Sequence, residues 1–77
     1  MSDRTVHAWS ENGQELVRYD RAGKWYLEKD GEPRRLLTLM HAVAYATRMP
    51  DWHINFGEPG GKRFDAACRK AASGVSR

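Results

Sequence analysis

His7, His41, His53 and Cys68 are the side chains of this 77-residue sequence with an intrinsic taste for metal ions. Ligands delivered by one turn or helix stand two to five residues apart, and none of these four has another within that distance. Cys68 is the only cysteine, so no intrachain disulfide forms. A catalytic nucleophile would need a positioned base. Cys68 instead falls on the inward side of an alanine-rich helical segment, where a small thiol packs as core. Glu28, Asp30 and Glu32 flank a turn, and Asp51 and Glu58 fall in loops, so these carboxylates read as solvated surface rather than an acid–base pair. A chain this short also has little room for a deep pocket. The expectation is a non-enzyme with no catalytic residue, no metal and no cofactor.

The segment Gly57–Arg63, GEPGGKR, invites comparison with a phosphate loop. The Walker pattern puts four residues between its first glycine and Gly-Lys, followed by Ser or Thr. Here only Glu58, Pro59 and Gly60 intervene, and Arg63 replaces the hydroxyl. Pro59-Gly60 reads better as a type II turn with glycine at the positive-φ position. Backbone amides at Gly60-Gly61, beside Lys62 and Arg63, remain able to receive a phosphate of a larger partner.

A second chemistry lies in Glu15–Leu37, ELVRYDRAGKWYLEKDGEPRRLL, where aromatic residues are interleaved with arginine and lysine. The chain carries 13 Lys+Arg against 10 Asp+Glu, a net charge of +3 and a pI near 9.4. Arginine exceeds lysine, nine to four, which suits bidentate contacts to phosphate. Cations attract phosphates, and flat rings stack on bases or brace sugars. The candidate interface is therefore Trp9, Arg18, Lys24, Tyr26 and Arg35, with Lys62 and Arg63 adding contacts to the nucleic-acid backbone. The alternative is protein–protein association, homodimers included, with Trp9, Leu16 and Tyr26 as the hot spot. The plainest reading is that long charged side chains simply cover an exposed sheet, with Glu15, Asp20 and Glu28 diluting its field.

These residues need elements to hold them. The composition is that of one globular domain, residues 1–77, with a core over about 5–73 and loose ends at 1–4 and 75–77. Thr5–Ser10 alternates as a strand and runs into Asn12-Gly13, a strong two-residue hairpin signal. That turn would pair Trp9 with Leu16 and Val6 with Tyr19. The partner strand is Glu15–Asp20. A three-residue loop with Gly23 at its left-handed position leads into Lys24–Lys29. Asp30-Gly31 then turns into a short strand, Pro33–Leu37, which Pro33 confines to an edge. With these turns Val6, Ala8, Val17, Tyr19, Trp25, Leu27 and Leu36 share the core face, and His7, Trp9, Leu16, Arg18, Lys24, Tyr26 and Arg35 share the other. A four-residue loop after Tyr19 would exchange Trp25 and Tyr26.

Thr38 is placed to cap a helix over Leu39–Met49, with Leu39, Ala42, Val43, Ala46 and Met49 on its packed stripe. Trp52–Phe56 alternates as a fifth strand. Phe64–Ser73 reads as a second helix with Phe64 and Cys68 inward and Gly74 as its terminator. The fold expected is α+β: an antiparallel meander of three to four strands packed on one main helix, with a short fifth strand and a C-terminal helix. The order of strands followed by a helix resembles, in arrangement, that of the arm-binding domains of phage integrases, which implies DNA contact through the sheet. No apolar run approaches a membrane span, and the N-terminal residues have no apolar signal core, so a cytoplasmic protein is expected.

Overall fold

A computed structural model of the protein describes residues 3–75. The strands are β1 (Arg4–Ser10), β2 (Gln14–Tyr19), β3 (Lys24–Lys29), β4 (Arg35–Leu37) and β5 (Trp52–Ile54), and the helices are α1 (Leu39–Arg48) and α2 (Lys62–Val75). All five strands join one antiparallel sheet in the order β4-β3-β2-β1-β5. The α+β architecture expected from the sequence is thus present, and Trp52–Ile54 belongs to the main sheet, at the outer side of β1. Residues 1–2 and 76–77, which carry part of the expected loose ends, lie outside the described residues.

Both helices cover the same sheet face. One core joins Ala8, Leu16, Trp25 and Leu37 of the sheet to Ala42, Val43 and Ala46 of α1 and to Phe64 and Cys68 of α2. Small alanines let α1 sit close to the strands, and the Phe64 ring stacks on Trp25 at 4.9 Å. The second face therefore carries no helix among the described residues.

Turn lengths correct the expected register. Trp9 pairs with Glu15, so the first hairpin has three loop residues rather than two. Gly13 alone takes positive φ (93°), and the Ser10 hydroxyl accepts from the Gln14 amide at 3.1 Å. The Ser10 side chain gives the loop a partner that a two-residue turn would not use. After Tyr19 the loop holds four residues, since Tyr19 pairs with Lys24 and the Gly23 amide donates to the Tyr19 carbonyl at 2.7 Å. In the third hairpin Trp25 pairs with Leu37, not Leu36. Each slip of one residue moves a strand's side chains to the opposite face. Leu16 and Arg18 consequently join Trp25 and Leu27 under the helices, while Val17, Tyr19 and Leu36 pass to the open face. Leu16 is fully buried and Leu36 is 57 % exposed.

A bulge in β1 adds a further change. Val6 pairs with Val17 and Ala8 with Leu16, leaving His7 as the extra residue. Two consecutive side chains, His7 and Ala8, then turn toward the core, as a bulge permits. The carbonyls of Val6 and His7 accept from the Asn55 side chain (3.2 Å) and backbone (2.9 Å). The residue after β5 thus satisfies the backbone that the bulge takes out of the ladder.

Helix α1 starts where expected: Thr38 Oγ1 accepts from the His41 amide at 3.1 Å. It ends at Arg48, one residue short, and Met49 is exposed rather than packed. Helix α2 begins two residues earlier than expected and passes through Gly74 to Val75 instead of stopping at that glycine. Phe64 and Cys68 are inward, as expected.

Candidate nucleic-acid interface

At one corner of the sheet a cleft of about 770 Å³ runs between the β3–β4 end and the N-termini of both helices. Arg18 from β2, Lys24 from β3, and Lys62 and Arg63 from the first turn of α2 line it, with His41 of α1 beside them. Its apolar lining comes from Leu36, Leu37, Leu39, Trp25 and Phe64. Among the described residues Asp20 is the carboxylate beside it, with Oδ1 on Arg18 and 3.2 Å from where a Cβ on Gly60 would stand. Lys24 and Leu36 belong by register to the open face, but at the sheet corner they also border this cleft.

Arg18 is held in place. Its Nη1 donates to Asp20 Oδ1 at 2.6 Å, and Asp20 Oδ2 accepts from Thr5 Oγ1 at 3.0 Å. The guanidinium spans two glycines of the cleft. A Cβ on Gly60 would come within 2.8 Å of Nη1, and one on Gly23 within 3.6 Å of Nη2. A planar fork fixed this way loses little freedom on meeting a phosphate. Asp20 offsets part of its charge, so Lys24, Lys62 and Arg63 supply most of the field.

The loop before α2 has the geometry that its sequence demands. The Gly61 amide donates to the Glu58 carbonyl at 3.0 Å across Pro59-Gly60, and Gly60 has φ of 82°, as a type II turn requires. Gly61 then caps α2, its carbonyl accepting from the Asp65 amide at 2.8 Å. Since the Gly61 amide is already bonded within the turn, the donors that α2 can offer an anion are those of its own first turn. Lys62 and Arg63 stand in that turn, where a positive charge opposes the helix macrodipole.

Beneath Gly61 lies His7, wholly buried, with neither ring nitrogen bonded to any partner. A Cβ at Gly61 would meet its Nδ1 and Cε1 at 2.6 Å. The ring packs against Trp25 (4.8 Å) and Phe64 (5.9 Å), both of which line the cleft. Burial lowers the pKa of His7 from its ordinary value, against the pull of Asp65, Asp20 and Glu58. His7 therefore acts as an apolar support for the start of α2.

The other predicted residues lie elsewhere. Trp9 and Tyr26 are on the open face, and Arg35 is at the far end of the helix face, near Leu27 and Tyr45. The structure thus unites Arg18, Lys24, Lys62 and Arg63 and separates them from Trp9, Tyr26 and Arg35. On the open face charge is neutralised internally. Arg4 donates to Glu15 at 2.6 Å and to Glu28 at 3.0 Å, and Tyr19 Oη donates to Glu28 at 2.6 Å. Burial alone would raise the pKa of Glu28, but the bonds from Tyr19 and Arg4 outweigh it and lower the value. Arg34, absent from the predicted set, lies over Tyr26 (4.5 Å) and Tyr19 (5.1 Å). Trp9, 40 % exposed, stacks on His53, whose Nε2 lies 3.0 Å from Glu11 Oε2.

Lys62 and Arg63 are expected site residues and lie at the start of α2, whereas His41 and the start of α1 are additions that no local sequence signal marks, because only the packing of α1 against α2 brings them to the cleft. Among the described residues no group of three or more His, Cys, Asp or Glu is placed to hold a metal. No described helix is long and apolar enough to cross a membrane. Comparison of the chain with protein-family models, with curated proteins and with solved structures gives no match.

Proposed function

We propose that the protein is a non-enzymatic, cytoplasmic nucleic-acid-binding module that grips phosphates in the corner cleft. One observation carries this reading: four cations from β2, β3 and α2 border one concave surface, with Asp20, bonded to Arg18, as the carboxylate beside it. The aromatic open face, by contrast, balances its charges internally, so it offers an anion little attraction. In this reading Arg18 is the fixed fork, and Lys24, Lys62 and Arg63 are mobile cations that follow the phosphates.

Fluorescence anisotropy with a labelled mixed-sequence single strand and its duplex, at 50 and 200 mM salt, tests the proposal. The triple variant Lys24→Ala, Lys62→Ala, Arg63→Ala is expected to lose most binding, whereas Trp9→Ala with Tyr26→Ala keeps it. Unaltered binding by the triple variant would reject the cleft as the interface. Association with a protein, a second copy included, is the other reading, favoured by the exposed Trp9–His53 stack on a face that no helix covers. Leu16 takes no part in it, being fully buried. Sedimentation showing a dimer that Trp9→Ala dissociates would support that reading.

A further inference from the structure

Resting on the reading of the cleft as a nucleic-acid site, we infer that its ligand is single-stranded, with one unpaired base seated on the apolar wall and flanking phosphates on the basic rim. The cleft combines two surfaces that a duplex cannot use together. Its rim is cationic, through Arg18, Lys24, Lys62 and Arg63, while its wall is apolar, through Leu36 and Leu39 with Trp25 behind them. A duplex presents phosphates outward and keeps its bases paired and stacked, so it would meet the rim and leave the wall wet. An unpaired nucleotide carries an apolar, flat base beside its phosphate and matches both.

The wall also indicates how the base is held. Leu36 is 57 % exposed and Leu39 half-buried, whereas Trp25 and Phe64 are buried beneath. Contact is therefore mainly aliphatic, with no free aromatic face for stacking. The polar groups nearest the wall are few, and Thr38 Oγ1 is already bonded to the His41 amide. The Thr38 hydroxyl proton and the His41 ring, both at the cleft, are the groups that could bond a base edge. Arg18, bonded to Asp20 and lying beside Gly60, sets where the neighbouring phosphate sits.

The experiment compares three probes of equal charge number with the full chain: a mixed-sequence single strand, the same strand with its bases removed, and a duplex. The single strand is expected to bind about fivefold more tightly than the abasic strand, the effect of the apolar area one seated base would cover on Leu36 and Leu39. Leu36→Ser should remove most of that advantage and leave abasic binding unchanged. Equal affinity for the base-bearing and abasic strands would overturn the seated base while leaving phosphate binding by the cleft intact. Tighter binding of the duplex than of the single strand would do the same. No binding of any probe at 50 mM salt would overturn the nucleic-acid reading itself.

Discussion

His7 and Gly61 show how closely one residue's identity depends on another here. A Cβ at Gly61 would stand 2.6 Å from the His7 ring, which Trp25 and Phe64 hold from other sides. Gly61→Ala is expected to cost about 1–3 kcal/mol through overpacking. The cost should shrink in a His7→Ala background, a coupling that a double-mutant cycle by urea unfolding measures. The imidazole brings a pH dependence as well. Burial lowers its pKa in the fold, so as pH falls below about 6.5 the unfolded chain takes up the proton first. Stability from this group is complete above that value and falls with acidification. Asp65, Asp20 and Glu58 moderate the loss, and Arg18 adds to it. His7→Leu should be at least as stable as the parent at pH 7, since it removes two buried nitrogens that have no partner, and its advantage should widen at pH 5.5. A parent protein equally stable at both values would contradict this. Burial also pushes the Cys68 thiol up to about 11, so a thiol reagent at pH 8 should label it only after unfolding.

At the scale of elements, the start of α2 carries mixed charge. Lys62 and Arg63 stand in its first turn against the helix dipole, Asp65 stands there with it, and no basic residue stands in its last turn. Lys62→Glu is expected to raise stability by about 0.3–1 kcal/mol while weakening oligonucleotide binding. Opposite signs for the two readouts would mark a stability cost retained for the site. A variant that loses stability would show instead that Lys62 serves the fold. The elements themselves were legible in the sequence because their signals are local. The Thr38 cap, the Pro59-Gly60 turn and the alternation of Trp52–Ile54 each need only a few neighbouring residues. Their register was not legible, because it accumulates over three loops and one bulge. Whether Asn12-Gly13 closes two residues or three depends on the Ser10 hydroxyl, and the bulge at His7 depends on Asn55, 48 positions away. Trp25 and Leu27 stayed in the core through these shifts, but Leu16 and Leu37 replaced Tyr19 and Leu36 there. The same shifts moved Arg18 beneath the helix layer, away from Tyr26.

For the whole molecule, the consequence is a surface divided by charge. On one face Arg4 pairs with Glu15 and Glu28, and Arg18, Lys24, Lys62 and Arg63 gather at the corner where both helices begin. Each phosphate contact contributes about −0.7 to the logarithmic salt dependence for a single strand, so Lys62→Ala with Arg63→Ala should reduce the slope by about 1.4. The most direct measurement is a ¹⁵N chemical-shift titration of the full chain with a short single strand. Shifts should concentrate at Arg18, Gly23, Lys24, Gly60, Lys62 and Arg63, with Trp9, Tyr26 and His53 unmoved. Shifts confined to the open face, with the cleft amides unchanged, would contradict the cleft as the interface.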